Sequence, residues 1–494
     1  MILADGCARL GDVPTAREAY RQALAAAAND PAMRMKLAES LLRIGDIRAK
    51  RDGEEAVRSL ATAYPPARRR LVELLLSRAT LPAWREARQM LDSPPNAASD
   101  DNRLMLAQGL MRRGGAKELA EADAICRQLL AGGKTPPPAA EVTMAELQQL
   151  RGNAQEARQR YRTLAEHMPV SATHLALYIE FLIGHGPAEE AERRLKQLDS
   201  LAADDIAAVG LRATWLHRQG RDAEVEPLVE RWAARVLPTV DVHKRVQLAE
   251  AIGDIYQRVG RYACAERWFR RVMRLAPSHF ESLARALAAQ GRVDEALTLC
   301  EQAGKSDASA RYAVHVCRLL VGGGATPEAA TRCDAILQRA MKDHPENIDL
   351  LAGVASVRIL QGRSEEAILL CRRILSLEPE NFAALNNLAA LLAECSAPER
   401  HREARRCVDR VIELYGPYPG LLDTKGTVFL AEQKPAEAVE VLKQAATIAN
   451  ADPRSHFHLA IAYWQLGQVE QARTALAQAR KNKLDNQVLT HHER

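Results

Sequence analysis

The sequence predicts an all-α fold, a solenoid of about fourteen helix–turn–helix repeats, and two observations carry that expectation. One is a single stretch, Leu248 to Pro277, in which small and apolar residues recur at helical spacing on both sides of Gly260. The other is the return of the same residue types at an interval of 34 positions over most of the chain.

Within that stretch each residue type has a mechanical reason. Gly253 and Ala265 are small where two antiparallel helices come closest, and Phe269 and Val272 fill the space towards the next helix. Gly260 can take the left-handed backbone that ends the first helix, and Pro277 stops the second. With Gly260 as position 15 of a 34-residue unit, Gly152, Gly186 and Gly220 share its register. Ala157, Ala191 and Val225 then fall at position 20, and Tyr161, Leu195 and Val229 at position 24. Further on, Cys333 leads to Ala367 and Pro345 to Pro379, and Ala404, Ala438 and Ala472 keep the same interval. These marks resemble the tetratricopeptide (TPR) repeat. The resemblance implies a right-handed α-solenoid superhelix whose first helices line a concave groove, with positions 2, 5, 9, 12 and 13 of each unit facing it.

Taken in order, residues 1–135 read as degenerate N-terminal repeats. Gly11, Ala16 and Tyr20 already hold positions 15, 20 and 24, so the chain starts inside a repeat with no polar capping helix before it. That start is expected to be an interaction end or a truncation, and truncation is the expectation taken. The second unit carries an insertion around Lys50 to Gly53, and the third uses Leu81-Pro82 in place of its turn glycine. Pro94-Pro95, Gly132-Gly133 and Pro136-Pro137-Pro138 break the helical pattern. Residues 136–308 form a central array in strict register for much of its length. Residues 309–480 form a C-terminal array, with Gly322-Gly323-Gly324 at a turn and a polar insertion from Cys395 to Arg402, and residues 481–494 are a polar tail. The run ALNNLA, LLDTKG and SHFHLAIAYWQLG near the end resembles the C-terminal arrays of large bacterial TPR proteins of exopolysaccharide and cell-surface sorting systems.

Composition narrows the function classes. The 68 basic and 63 acidic residues leave a net charge of +5, too slight over 494 residues to argue generally for nucleic acid or an anionic membrane. No stretch reaches the roughly 18 apolar residues of a membrane span. Nine cysteines occur without Cys-x-x-Cys spacing, and Cys126, Cys300 and Cys371 fall at position 24, where they act as small apolar residues. Unpaired thiols favour a reducing compartment. The expected location is therefore cytoplasmic as the chain stands, or periplasmic or envelope-associated if the N-terminus is truncated.

No constellation for catalysis is present. Gly322-Gly323-Gly324 is not followed by Gly-Lys-Ser/Thr, and neither Gly-x-Gly-x-x-Gly nor His-Glu-x-x-His occurs, so no enzyme activity, cofactor or metal is expected. His456 and His458 are two apart on a helix and point to different faces, and His491-His492 offer at most a weak adventitious metal site in the tail. The groove positions are more informative. In the eighth unit they carry Gln247, Glu250, Asp254 and Arg258; in the last three units the polar members include Asn386, Asn387, Asp423, Thr427, Arg454 and His458. Side-chain amides can pair with a peptide backbone and Arg454 with a carboxylate. The expected function is a non-catalytic scaffold that binds a peptide or partner helix of another protein. Alternatives are a component of a bacterial envelope or exopolysaccharide assembly and an RNA-binding helical repeat, the latter marked by steep salt dependence.

Overall fold

The computed structural model describes residues 2–9, 12–44, 46–93, 99–131, 137–166, 170–277, 279–303, 310–322, 330–331, 333–447 and 452–484. These residues form 28 α-helices and two short 3-10 turns, with no strand among them, as the repeat pattern predicts. The glycine run at Gly323-Gly324, the loop 304–307, the breaks at Pro94-Pro95 and Gly132-Gly133, and the tail from residue 485 with His491-His492 lie outside the described residues.

The organising hairpin pairs helix Val242–Arg258 with helix Tyr262–Leu275. Asp241 opens it, its carboxylate accepting the Lys244 backbone N–H at 2.8 Å. Gly260 closes the first helix at φ +71, which lets the Arg261 N–H reach the Tyr256 carbonyl at 2.8 Å and satisfy an end-of-helix acceptor. At the seam, a Cβ on Gly253 would stand 2.3 Å from Cε1 of the fully buried Phe269, so only glycine permits the ring to lie there.

Several details depart from expectation. Gly186 keeps the register but has φ −104, outside the left-handed region, so its turn is closed differently. The predicted insertion at Lys50 to Gly53 is a continuous part of helix Ile47–Leu60, and Gly53 lies against the preceding helix, where a Cβ would be 2.9 Å from the Ala38 carbonyl oxygen. Ala79, at φ 58, makes the left-handed turn assigned to Leu81-Pro82, and Pro82 sits in the first turn of helix Leu81–Asp92. Most of the Cys395 to Arg402 insertion lengthens the second helix, which starts at Pro398 and runs 18 residues to Tyr415.

Contacts divide the chain into two compact units, Arg88–Ala303 and a unit made of Met1–Ala87 with Gly304–Arg494. The first has a core running from Ala145 through Tyr178 and Ile179 to Trp215. The second has cores around Leu37 and Leu41 and around Leu388, Val408 and Leu414. The seven cysteines other than Cys7 and Cys395 are buried, and all nine are free thiols.

Candidate partner-binding groove

Three first helices, Phe382–Ala393, Pro419–Ala431 and Pro453–Gln465, present their polar stripes to one concavity of about 750 Å³. Each is started by local chemistry. Asn381 accepts the Ala384 N–H at 2.9 Å, Pro419 opens the second helix with its preset φ, and Asp452 accepts the Arg454 N–H at 2.9 Å. Helix Pro435–Ala446 supports them from behind, with Leu442 packed so tightly on Gly426 that a Cβ there would be 2.4 Å from its Cγ.

All six side chains read from the last three units, Asn386, Asn387, Asp423, Thr427, Arg454 and His458, line this concavity. They are not equivalent. His458 is 5% exposed, and its Nδ1 lies 2.9 Å from Asp423 Oδ1 on the neighbouring helix. The Thr427 hydroxyl donates to the Thr424 carbonyl at 2.8 Å. Arg454 Nη2 is 2.9 Å from Asp452 Oδ2; burial works to raise the Asp452 carboxyl, but the Arg454 hydrogen bonds prevail and hold it below its ordinary value. The side-chain oxygen of Asn386 is buried and accepts no hydrogen bond from the described residues.

The sequence pattern passed over the apolar part of the lining. Ile359, Phe382, Tyr418 and Leu430 share the concavity, with Phe382 edge-on to Tyr415 at 5.0 Å between ring centres. Ile359 and Leu430 fall at position 12, so the same register would have found them had apolar members been counted.

Gln247, Glu250, Asp254 and Arg258 belong to the other unit, on helix Val242–Arg258. Gln247 Nε2 is 2.9 Å from His243 Nε2, Glu250 is 2.8 Å from His279 Nδ1, and Asp254 is 3.1 Å from Arg285. Burial pushes the Asp254 carboxyl up despite Arg285. No group of three or more His, Cys, Asp or Glu that could hold a metal occurs among the described residues, and no helix among them is long and apolar enough to cross a membrane.

The repeated hairpins and their polar concave stripes define a helical-repeat scaffold for protein–protein contact. Tetratricopeptide-repeat family profiles match residues 3–68, 277–302 and 429–490. The chain carries tetratricopeptide repeats in those three stretches. It is 27% identical over 158 residues to a TPR repeat-containing protein of Pseudomonas aeruginosa, a match that covers 31% of this chain and 26% of that protein's length. Among solved structures it is similar to a tetratricopeptide repeat protein from Parabacteroides merdae, with 16% identity, 49% of this chain and 95% of that one covered, and a TM-score of 0.40. It is also similar to yeast Tom70, with 14% identity, 78% and 93% covered, and a TM-score of 0.36.

Proposed function

We propose that the chain is a non-catalytic scaffold that holds an extended peptide or a helix of a partner protein in the groove of its last repeats. What supports it is the convergence of Asn386, Asn387, Asp423, Thr427, Arg454 and His458 on one concavity floored by Ile359, Phe382, Tyr418 and Leu430. The apolar floor supplies burial, the side-chain amides of Asn386 and Asn387 are the groups that can pair with a partner backbone, and Arg454 can exchange Asp452 for a partner carboxylate. Gln247, Glu250, Asp254 and Arg258 form a second contact stretch on the other unit. The nine free thiols favour a reducing compartment such as the cytoplasm.

A photo-reactive residue in place of Asn387 tests this directly, with one in place of the exposed Glu189 as control. In cells of the source organism, Asn387 should capture a defined protein that Glu189 does not, and Arg454→Ala with Asn386→Ala should abolish the capture. Equal capture at both positions, or capture insensitive to the two substitutions, would overturn the groove assignment. A nuclease-sensitive product would move the assignment to RNA.

A further inference from the structure

Within the unit made of Met1–Ala87 and Gly304–Arg494, helix Ile47–Leu60 carries three basic residues near its start, Arg48, Lys50 and Arg51. Arg48 and Arg51 are three apart and so share one face of the helix. Arg48 Nη2 lies 2.5 Å from Glu346 Oε1, and the Arg51 guanidinium donates to the Leu377 carbonyl oxygen. These contacts join residues 298 and 326 positions apart in sequence. Glu346 and Leu377 stand at equivalent turns of successive repeats, the turns marked by Pro345 and Pro379, so a single helix face touches both.

Each contact has a physical cause. Leu377 ends helix Ser364–Leu377, where the last carbonyls lack a partner within the helix and carry the negative end of its dipole, and the Arg51 cation satisfies one of them. Arg48 and Glu346 keep 55% and 33% of their side chains exposed, so dissolved salt screens their attraction. Beside the two contacts lies a crevice of about 880 Å³, with Leu42, Ile47 and Lys50 on one side and Pro379, Glu380 and Tyr415 on the other. The hydrophobic cluster around Leu37 and Leu41 and the cluster around Leu388 and Leu414 have no residue in common. Each side therefore has a core of its own to hold it when the charged contacts part. Tyr415 also meets Phe382 of the groove at 5.0 Å between ring centres, so the crevice backs onto the groove.

We propose that Arg48 and Arg51 form an electrostatic latch, which closes the N-terminal hairpins on the Glu346 and Leu377 turns at low ionic strength and releases them as salt rises. The chain links the two segments through the Arg88–Ala303 unit, so release is a change of tertiary contact and unfolds no helix. Exposed charges hold it shut, and their hold weakens once the screening length falls below the reach of the side chains. The latch stands whether or not the Asn386–His458 groove holds a partner.

The test puts a photo-reactive residue in place of Lys50, which lines the crevice and pairs with no described residue. The full chain is irradiated at high dilution and crosslinks within one chain are mapped by mass spectrometry. In about 0.01 M salt, where the screening length is roughly 30 Å, position 50 should join residues 377–415; in about 1 M salt, where it is roughly 3 Å, the yield should fall about threefold or more. A photo-reactive residue in place of Ser59, whose hydroxyl accepts from Arg34 at 3.0 Å, should join helix Pro31–Arg43 equally in both. Glu346→Arg should lower the position-50 yield about twofold to fivefold at low salt while sparing the Ser59 control, and Arg48→Glu with Glu346→Arg should restore it. No crosslink to residues 377–415 at low salt, a yield indifferent to salt, or a reversed pair that fails to restore it would overturn the latch.

Discussion

His458 Nδ1 lies 2.9 Å from Asp423 Oδ1, joining the first helices of two successive repeats across 35 positions of sequence. Both side chains line the groove, and both are largely buried, with 6% and 13% of their side chains exposed. The pair therefore orients one repeat on the next besides facing the groove. His458→Ala leaves the Asp423 carboxylate without this partner and should cost about 1–3 kcal/mol. Hydrogen exchange across Pro419–Ala431 and Pro453–Gln465 checks it: protection should fall in those two helices and hold in Val242–Arg258.

The Gly253 and Phe269 contact fixes the register of the organising hairpin. Gly253→Ala puts a methyl where the buried ring stands, and Ala265→Leu forces the same seam apart, so each should destabilise by about 1–3 kcal/mol as overpacking. Unchanged denaturation of the Arg88–Ala303 unit in both variants would contradict the assigned seam.

The seam and the turn were legible because they depend on residue types that repeat at one interval. The buried charges were not. Glu190, 3% exposed, is held by Arg158 at 3.0 Å, Arg162 at 2.9 Å and Tyr178 at 2.6 Å, and Arg358, 1% exposed, is held by Asp334 at 2.5 Å. Glu190 and Arg358 look like surface positions in a helical pattern, and only the packing of neighbouring hairpins brings their partners together. The groove divides the same way: polar positions could be listed by register, but whether each side chain faces a partner or its own neighbour depends on contacts between repeats.

Glu190 gives an acid-dependence prediction. Burial pushes its carboxyl up, but hydrogen bonds from Tyr178, Arg158 and Arg162 overcome this and hold it at about 2 against an ordinary 4.5. A carboxylate lowered on folding contributes stability that is fully present above the ordinary value and is lost as pH falls towards the folded one. Glu190→Gln should thus be less stable than the parent at neutral pH, with the gap closing between about pH 4.5 and 2. Denaturant midpoints at a series of pH values read this directly; a gap independent of pH would mean the cluster acts through shape alone.

Gln433 holds the turn slot that Gly260 holds in the organising repeat, five positions before the seam alanine Ala438, and its φ is +58. The turn is closed in the same way, with the Lys434 N–H reaching the Phe429 carbonyl at 2.9 Å, so the backbone needs the left-handed conformation whatever the side chain. A residue with a Cβ pays roughly 1–2 kcal/mol there, partly offset by the smaller chain entropy it loses compared with glycine. Gln433 is exposed and its side chain makes no hydrogen bond to any described residue, so Gln433→Gly should stabilise the hairpin Pro419–Ala431 and Pro435–Ala446 by about 0.5–1 kcal/mol. Because a long repeat array need not unfold in one step, the readout is local. Amide protection should rise in those two helices with little change in the Arg88–Ala303 unit, and the reverse substitution, Gly260→Gln, should lower protection across Val242–Arg258 and Tyr262–Leu275.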